Sequence, residues 1–203
     1  MKTNHIYQGD CLEIMKTFED NSVDLVLTDP PYGVNLDYDV YSDTEEAWFD
    51  LMDKFIPEAR RISSMVIFPS CQINRLDWFY KNHKPDWLIC WYKGSVGHAA
   101  YVGFNDWEPH VVYGKNNTHM HDYFRTQTQK MGDFGHPCPK NVEWAKWVIS
   151  RATEEGQTIL DPFLGSGTTA VACKQFNRNY IGIELSEKYC EIARQRLRQE
   201  TLF

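Results

Sequence analysis

Residues 157–170 read Gln-Thr-Ile-Leu-Asp-Pro-Phe-Leu-Gly-Ser-Gly-Thr-Thr-Ala: an apolar run, a Gly-x-Gly turn and a helix-forming stretch in direct succession. A strand that passes through glycines straight into a helix is the opening of a βα unit. Glycines let the backbone turn sharply and approach a ligand closely. Such a unit needs neighbouring strands and helices on both faces, so this short segment already demands an α/β sheet. Gly165-Ser166-Gly167-Thr168-Thr169-Ala170 also fits the G-x-G-x-x-[GA] pattern. Glu184 ends the next apolar run, 19 residues after Gly165. A carboxylate placed there can accept hydrogen bonds from ribose hydroxyls. The pattern points to a nucleoside-type cofactor, with a purely structural tight turn as the alternative.

Other apolar runs fit the same sheet. Residues 23–28, 65–69, 87–92, 110–114 and 179–184 are rich in Val, Ile, Tyr and Trp and lack strict alternation, as expected of strands covered on both faces. Helical patterns lie between them at 44–62, 141–151, 167–176 and 186–199, with Ser186 as an N-cap and Pro57 as a point of interruption. The length of 203 residues, with 42% hydrophobic and 24% charged, suits one globular domain spanning 1–203. No run reaches the roughly 20 apolar residues of a membrane helix, and residues 1–13 lack a signal-peptide core, so a cytoplasmic, membrane-free protein is expected. The six cysteines show no C-x-x-C pair and read as free thiols, and no metal is expected. His119 and His121 read as loop residues, and Trp87, Trp91 and Trp107 as packing residues.

The chain ends 33 residues after Ala170. A nicotinamide-binding sheet begins at its fingerprint and needs several later strands. Here those strands must lie upstream, so the expected sheet is circularly permuted. No G-x-x-x-x-G-K-[ST] string is present, which disfavours NTP hydrolysis. Asp10, Asp161 and Glu184 favour a cationic cofactor, and S-adenosylmethionine carries a sulfonium, an ammonium and a ribose but no phosphate.

Thr28-Asp29-Pro30-Pro31-Tyr32-Gly33 directly follows a buried run. Successive prolines fix two φ angles and stiffen the corner. The Asp29 carboxylate, the Pro30 carbonyl and the Tyr32 ring are thereby held together, with two acceptors beside an aromatic face. That set suits a planar aromatic amine. The amine lone pair is delocalised and weakly nucleophilic. Two acceptors draw the nitrogen toward tetrahedral geometry and stabilise the charge that develops as it attacks a methyl sulfonium. A base in a duplex must flip out to reach such a corner.

Asp-Pro-Pro-Tyr at 29–32 followed by Asp-Pro-Phe-Leu-Gly-Ser-Gly-Thr-Thr at 161–169 resembles the permuted, beta-group DNA amino-methyltransferases over nearly the whole chain. The resemblance implies a permuted Rossmann-like methyltransferase fold, a mostly parallel sheet with helices on both faces. It implies Asp29, Pro30, Pro31 and Tyr32 as catalytic residues. For the cofactor it implies Asp10 and Cys11 of the opening segment, Asp29, His136 and Lys140 of the His-Pro-x-x-Lys segment, Asp161, Pro162, Phe163, Gly165, Ser166, Gly167, Thr168, Thr169 and Glu184. Asn141 stands where the family usually has proline. An Asp at the first position of the tetrapeptide goes mostly with adenine N6 and a Ser with cytosine N4.

The net charge of −7 demands a local basic face for any nucleic-acid partner. Residues 33–58 are strongly acidic, whereas in 115–140 Lys115, Arg125, Lys130 and Lys140 outnumber Asp122 and Asp133. Family resemblance and charge agree on 116–135 as a target-recognition insertion. Lys93, Lys115, Arg125 and Lys130 are the candidate DNA contacts. The expected activity is site-specific transfer of methyl from S-adenosylmethionine to adenine N6 in double-stranded DNA, as in restriction-modification. A short target is expected, perceived by few side chains, with a homodimer as a means of extending it. Cytosine N4 or RNA as substrate, a non-catalytic DNA-binding module and a nicotinamide oxidoreductase are the alternatives.

Overall fold

The structure, a computed structural model, describes residues 1–38, 40–70, 75–94, 103, 106–115, 120–127 and 140–199. In chain order its elements are β1 (His5–Gln8), α1 (Cys11–Met15), β2 (Leu25–Leu27), α2 (Glu45–Ile62), β3 (Met65–Pro69), α3 (Leu76–Asn82), β4 (Trp87–Tyr92), β5 (Trp107–Gly114), β6 (Tyr123–Arg125), α4 (Val142–Ala152), β7 (Thr158–Asp161), α5 (Thr168–Gln175), β8 (Asn179–Glu184) and α6 (Glu187–Gln199). The strands form one sheet in the order β1-β8-β7-β2-β3-β5-β4-β6.

Alternate residues of each strand face opposite layers. Val26, Val66, Phe68, Val111, Leu160 and Ile181 pack under α1, α2 and α3. Leu25, Leu27, Ile67, Trp91, Val112 and Ile159 pack against α4 and α5. α6 covers the β1 end through Cys190, Ala193 and Leu197. Both faces being apolar explains why the strand runs lack alternation.

α2 begins where Thr44 caps the Ala47 amide at 3.2 Å, followed by Glu45 and Glu46, and it ends with Arg60 and Arg61, which complement the helix dipole. It buries Trp48, Met52, Phe55, Ile56, Ala59 and Ile62. Pro57, expected to interrupt this helix, lies on its exposed side and the helix runs through it.

β5 is longer than expected and runs antiparallel to both β3 and β4, whereas the other strand pairs are parallel. The carboxyl ends of β1, β2, β7 and β8 therefore meet on one edge, joined there by the amino end of β5 through the His110–Pro69 pairing. In open α/β sheets that edge is where ligands bind. β6 lies inside the expected recognition insertion and forms the sheet margin beside β4. Among the described residues no helix is long and apolar enough to cross a membrane.

Candidate active site

The glycine bend and the proline corner open onto one cleft. Asp10, Cys11, Asp29, Pro31, Lys140, Asp161, Pro162, Phe163, Gly165, Ser166, Thr168, Thr169 and Glu184 all line it. Gly167 does not line it; it turns the chain into α5 at φ +87°, and a Cβ there would stand 2.8 Å from the Ala193 Cβ. A substitution is therefore both strained and crowded. Glu184 fixes the bend from the neighbouring strand, accepting from the Gly165 amide at 2.8 Å and from the Ser186 amide at 2.9 Å. Asp10 caps α1 through the Leu12 and Glu13 amides at 2.8 and 3.1 Å. Burial beside Asp10 pushes the Cys11 thiol up to about 12, so it is a neutral wall. His136 and Lys130 lie outside the described residues.

Asp161 ties the two motifs together. Its Oδ1 accepts from the Thr28 hydroxyl at 2.6 Å, joining the ends of β7 and β2, and from the Phe163 amide at 3.1 Å. Burial raises its pKa to about 7 against the pull of these donors. Phe163 anchors the following loop, with its ring 5.2 Å from that of Phe55 in α2.

The corner itself is clamped from below. The buried Asp43 carboxylate accepts from the Gly33, Val34 and Leu36 amides at 2.6, 3.1 and 3.1 Å. Arg75, stacked 4.2 Å from the Trp48 ring, donates to the Tyr32 and Gly33 carbonyls. Gly33 has φ +61°, and a Cβ there would meet the Trp48 Cβ at 2.7 Å. We expect Asp43→Ala to cost about 3 kcal/mol of stability, because three amides lose a charged acceptor together. Urea denaturation measures this; an unchanged midpoint would mean that the corner holds itself.

Above the corner lies a compact charged cluster. The single Tyr32 hydroxyl proton is shared between Asp29 and Glu108, at 2.9 and 2.8 Å, and the oxygen accepts from Lys140. The Lys140 ammonium lies 3.3 Å from Asp29 and 3.3 Å from Glu108, and Lys93 lies 2.9 Å from Glu108. Burial raises the Asp29 pKa to about 6; Lys140 pulls it down and Glu108 pushes it up. Burial would also raise Glu108, but Lys140 and Lys93 overcome it and hold that carboxyl at about 2. His110, buried and accepting from the Trp144 indole at 2.7 Å, is lowered by burial to about 4 and stays neutral.

Three of the candidate DNA contacts, Lys93, Lys115 and Arg125, are among the described residues. Lys93 turns inward to Glu108, with its side chain 16% exposed. Lys115 follows the far end of β5; at about 3.4 Å per residue, the antiparallel strand carries it roughly 20 Å from Glu108, to the opposite edge of the sheet. Arg125 is exposed at the site edge, 5.3 Å from the Tyr92 ring. Of the tryptophans expected in core or edge packing, Trp91 is buried and Trp87 is 58% exposed. The sequence reading missed Glu108 as a site residue, and also Tyr38, Tyr41, Leu51, Trp144 and Tyr189, which line the cleft. The available signal for Glu108 was a carboxylate heading an otherwise apolar strand.

The profile of the N6/N4 DNA methylase family matches residues 23–195. The chain is 32% identical over 203 aligned residues to the inferred methylase YubD of Escherichia coli (strain K12), covering 94% of this chain and 88% of that one. It resembles the crystal structure of the M1.HpyAVI–SAM complex at TM-score 0.67 and 25% identity, over 95% of this chain and 98% of the other. The PvuII DNA methyltransferase, which is cytosine-N4-specific, shares the fold at TM-score 0.69 and 16% identity, over 97% and 86% of the two chains. With the proline corner and the glycine bend on one cleft, and the matched profile spanning both, the chain belongs to the N6/N4 family of DNA methylases.

Proposed function

We propose that the protein transfers a methyl group from S-adenosylmethionine to the N6 amino group of adenine in double-stranded DNA. The observation that carries this reading is the placement of Asp29 on the cleft that the Gly165–Gly167 bend frames, with Thr28 bonded to Asp161 between them. The cleft suits the donor. Asp10, Asp161 and Glu184 offer carboxylates for a cation and a ribose, while Val40, Leu51, Phe163 and Leu185 supply apolar wall. The Tyr41 hydroxyl is buried in this wall with no hydrogen-bond partner among the described residues, as expected of a group awaiting a ligand.

When bound, the donor supplies an electrophilic methyl group on a positively charged sulfur. Asp29 accepts one N–H of the target amine, and the Pro30 carbonyl accepts the other. Attack of the amine nitrogen on that methyl would break the C–S bond with its pair left on sulfur, and Asp29 would receive one amine proton. No covalent enzyme intermediate is needed, so positioning and electrostatics supply the acceleration. Tyr32 offers its ring face to the flipped base. The Asp at position 29 favours adenine over cytosine. Arg125 and the stretch 116–135 supply backbone and base contacts, with Arg125 exposed on the site edge of the sheet.

Modification-sensitive sequencing of DNA from a methylation-deficient host expressing the protein tests this. Methylated adenines in one short sequence context are expected. Methylated cytosines, or an unmodified genome, would contradict the adenine reading.

A further inference from the structure

The acceptor site that Asp29 offers to an incoming amine is already in contact with an amine of the chain itself. The Lys140 ammonium lies 3.3 Å from Asp29 and bonds the Tyr32 hydroxyl. It also sits 5.0 Å from the centroids of both the Tyr32 and Trp91 rings. The Asp29 carboxylate and the Tyr32 ring, which Lys140 contacts, are two of the features that the corner would present to the exocyclic amine of a flipped base. Lys140 is also held by a second carboxylate, Glu108, at 3.3 Å. Glu108 is buried, fixed by Lys93 at 2.9 Å, and receives the Tyr32 hydroxyl at 2.8 Å.

We propose that Lys140 is a resident amine that fills the target subsite in the DNA-free protein, and that Glu108 is the acceptor to which it withdraws when the base enters. Glu108 is then a positioning residue that acts through Lys140. The inference rests on the reading of Asp29 as acceptor of the target amine. Its chemistry is an exchange of donors on one carboxylate: a neutral aromatic amine replaces an ammonium, and the displaced ammonium keeps a counter-ion without crossing into solvent. A buried cation left without a carboxylate is costly, so the exchange needs Glu108. The geometry also makes the subsite selective, since a ligand that cannot satisfy Asp29 does not displace Lys140.

Steady-state methylation of genomic DNA from a methylation-deficient host, with Glu108→Gln, Lys140→Met and the double variant, tests this. Glu108→Gln should raise KM for DNA about tenfold, more than it lowers kcat, because Lys140 then competes for Asp29 with nowhere to withdraw. Adding Lys140→Met should bring KM back to within about threefold of wild type, since no ammonium remains to be displaced. A cluster that serves only as scaffold gives the opposite sign, with the double variant no better than Glu108→Gln, and that result overturns the proposal. Cofactor affinity by calorimetry checks that Glu108→Gln is folded. Should it fail to fold, Lys140→Met alone decides: a lowered KM for DNA supports the exchange and a raised one overturns it. Wild type without transfer, or full transfer by Asp29→Ala, would instead mean that the reading of Asp29 itself fails.

Discussion

Asp29→Ala should reduce methyl transfer about 10³-fold while the sheet and the cofactor cleft persist. On the proposed reading, the substitution removes the carboxylate that accepts the target N–H, the charge that stabilises positive nitrogen in the transition state and the acceptor for its proton. It leaves intact the Asp161–Thr28 bond and the Glu184 bonds that hold the glycine bend. Cofactor affinity, read by calorimetry, should therefore fall by less than about tenfold. The wild-type rate carries a second signature. With the Asp29 pKa raised to about 6, chiefly by burial and further by Glu108 while Lys140 opposes, transfer should climb as pH rises through 6 and level off above it. The sign follows from chemistry, because a protonated carboxyl has lost the charge that the transition state needs. A variant that keeps transfer within tenfold of wild type would contradict the role given to Asp29.

Glu184→Ala should weaken S-adenosylmethionine binding about 100-fold, the largest effect expected in the cofactor half of the cleft. One oxygen of Glu184 holds the Gly165 amide at 2.8 Å and the other the Ser186 amide at 2.9 Å. Each is a charge-assisted bond worth about 1.5–3 kcal/mol, and the bend they fix is the one proposed to frame the donor's ribose. Glu184 ends β8, whose ladder with β7 and β1 does not depend on its carboxylate. The loss should therefore appear as affinity rather than as unfolding. Calorimetric titration of the variant measures it, and an affinity within fivefold of wild type would mean that the bend is held by its glycines alone.

The strands that carry the two motifs were legible because local chemistry marks them. The apolar runs end at Asp29, Asp161 and Glu184, and parallel pairing brings those ends together whatever the loops do. The charged cluster was not legible, because its members come from Asp29, Tyr32, Lys93, Glu108 and Lys140, and no periodicity links them. The antiparallel direction of β5 decides the places of two residues. It puts Glu108 at the site and sends Lys115 away, and a short apolar run does not reveal its direction. The stretch 33–58 was legible only as acidic, yet Asp43 within it is 3% exposed and anchors the corner. Charge counts do not distinguish an acid facing water from one capped by backbone amides. Lys93, a candidate phosphate contact by charge, likewise has a buried carboxylate for a partner.

Incubation of the protein with methyl-tritiated S-adenosylmethionine and duplex DNA, followed by digestion to nucleosides and chromatography, tests the central claim most directly. Label in N6-methyldeoxyadenosine, lost with Asp29→Ala, is the expected result. Label in N4-methyldeoxycytidine would contradict the assignment to adenine, and unlabelled DNA would contradict methyl transfer by this cleft altogether.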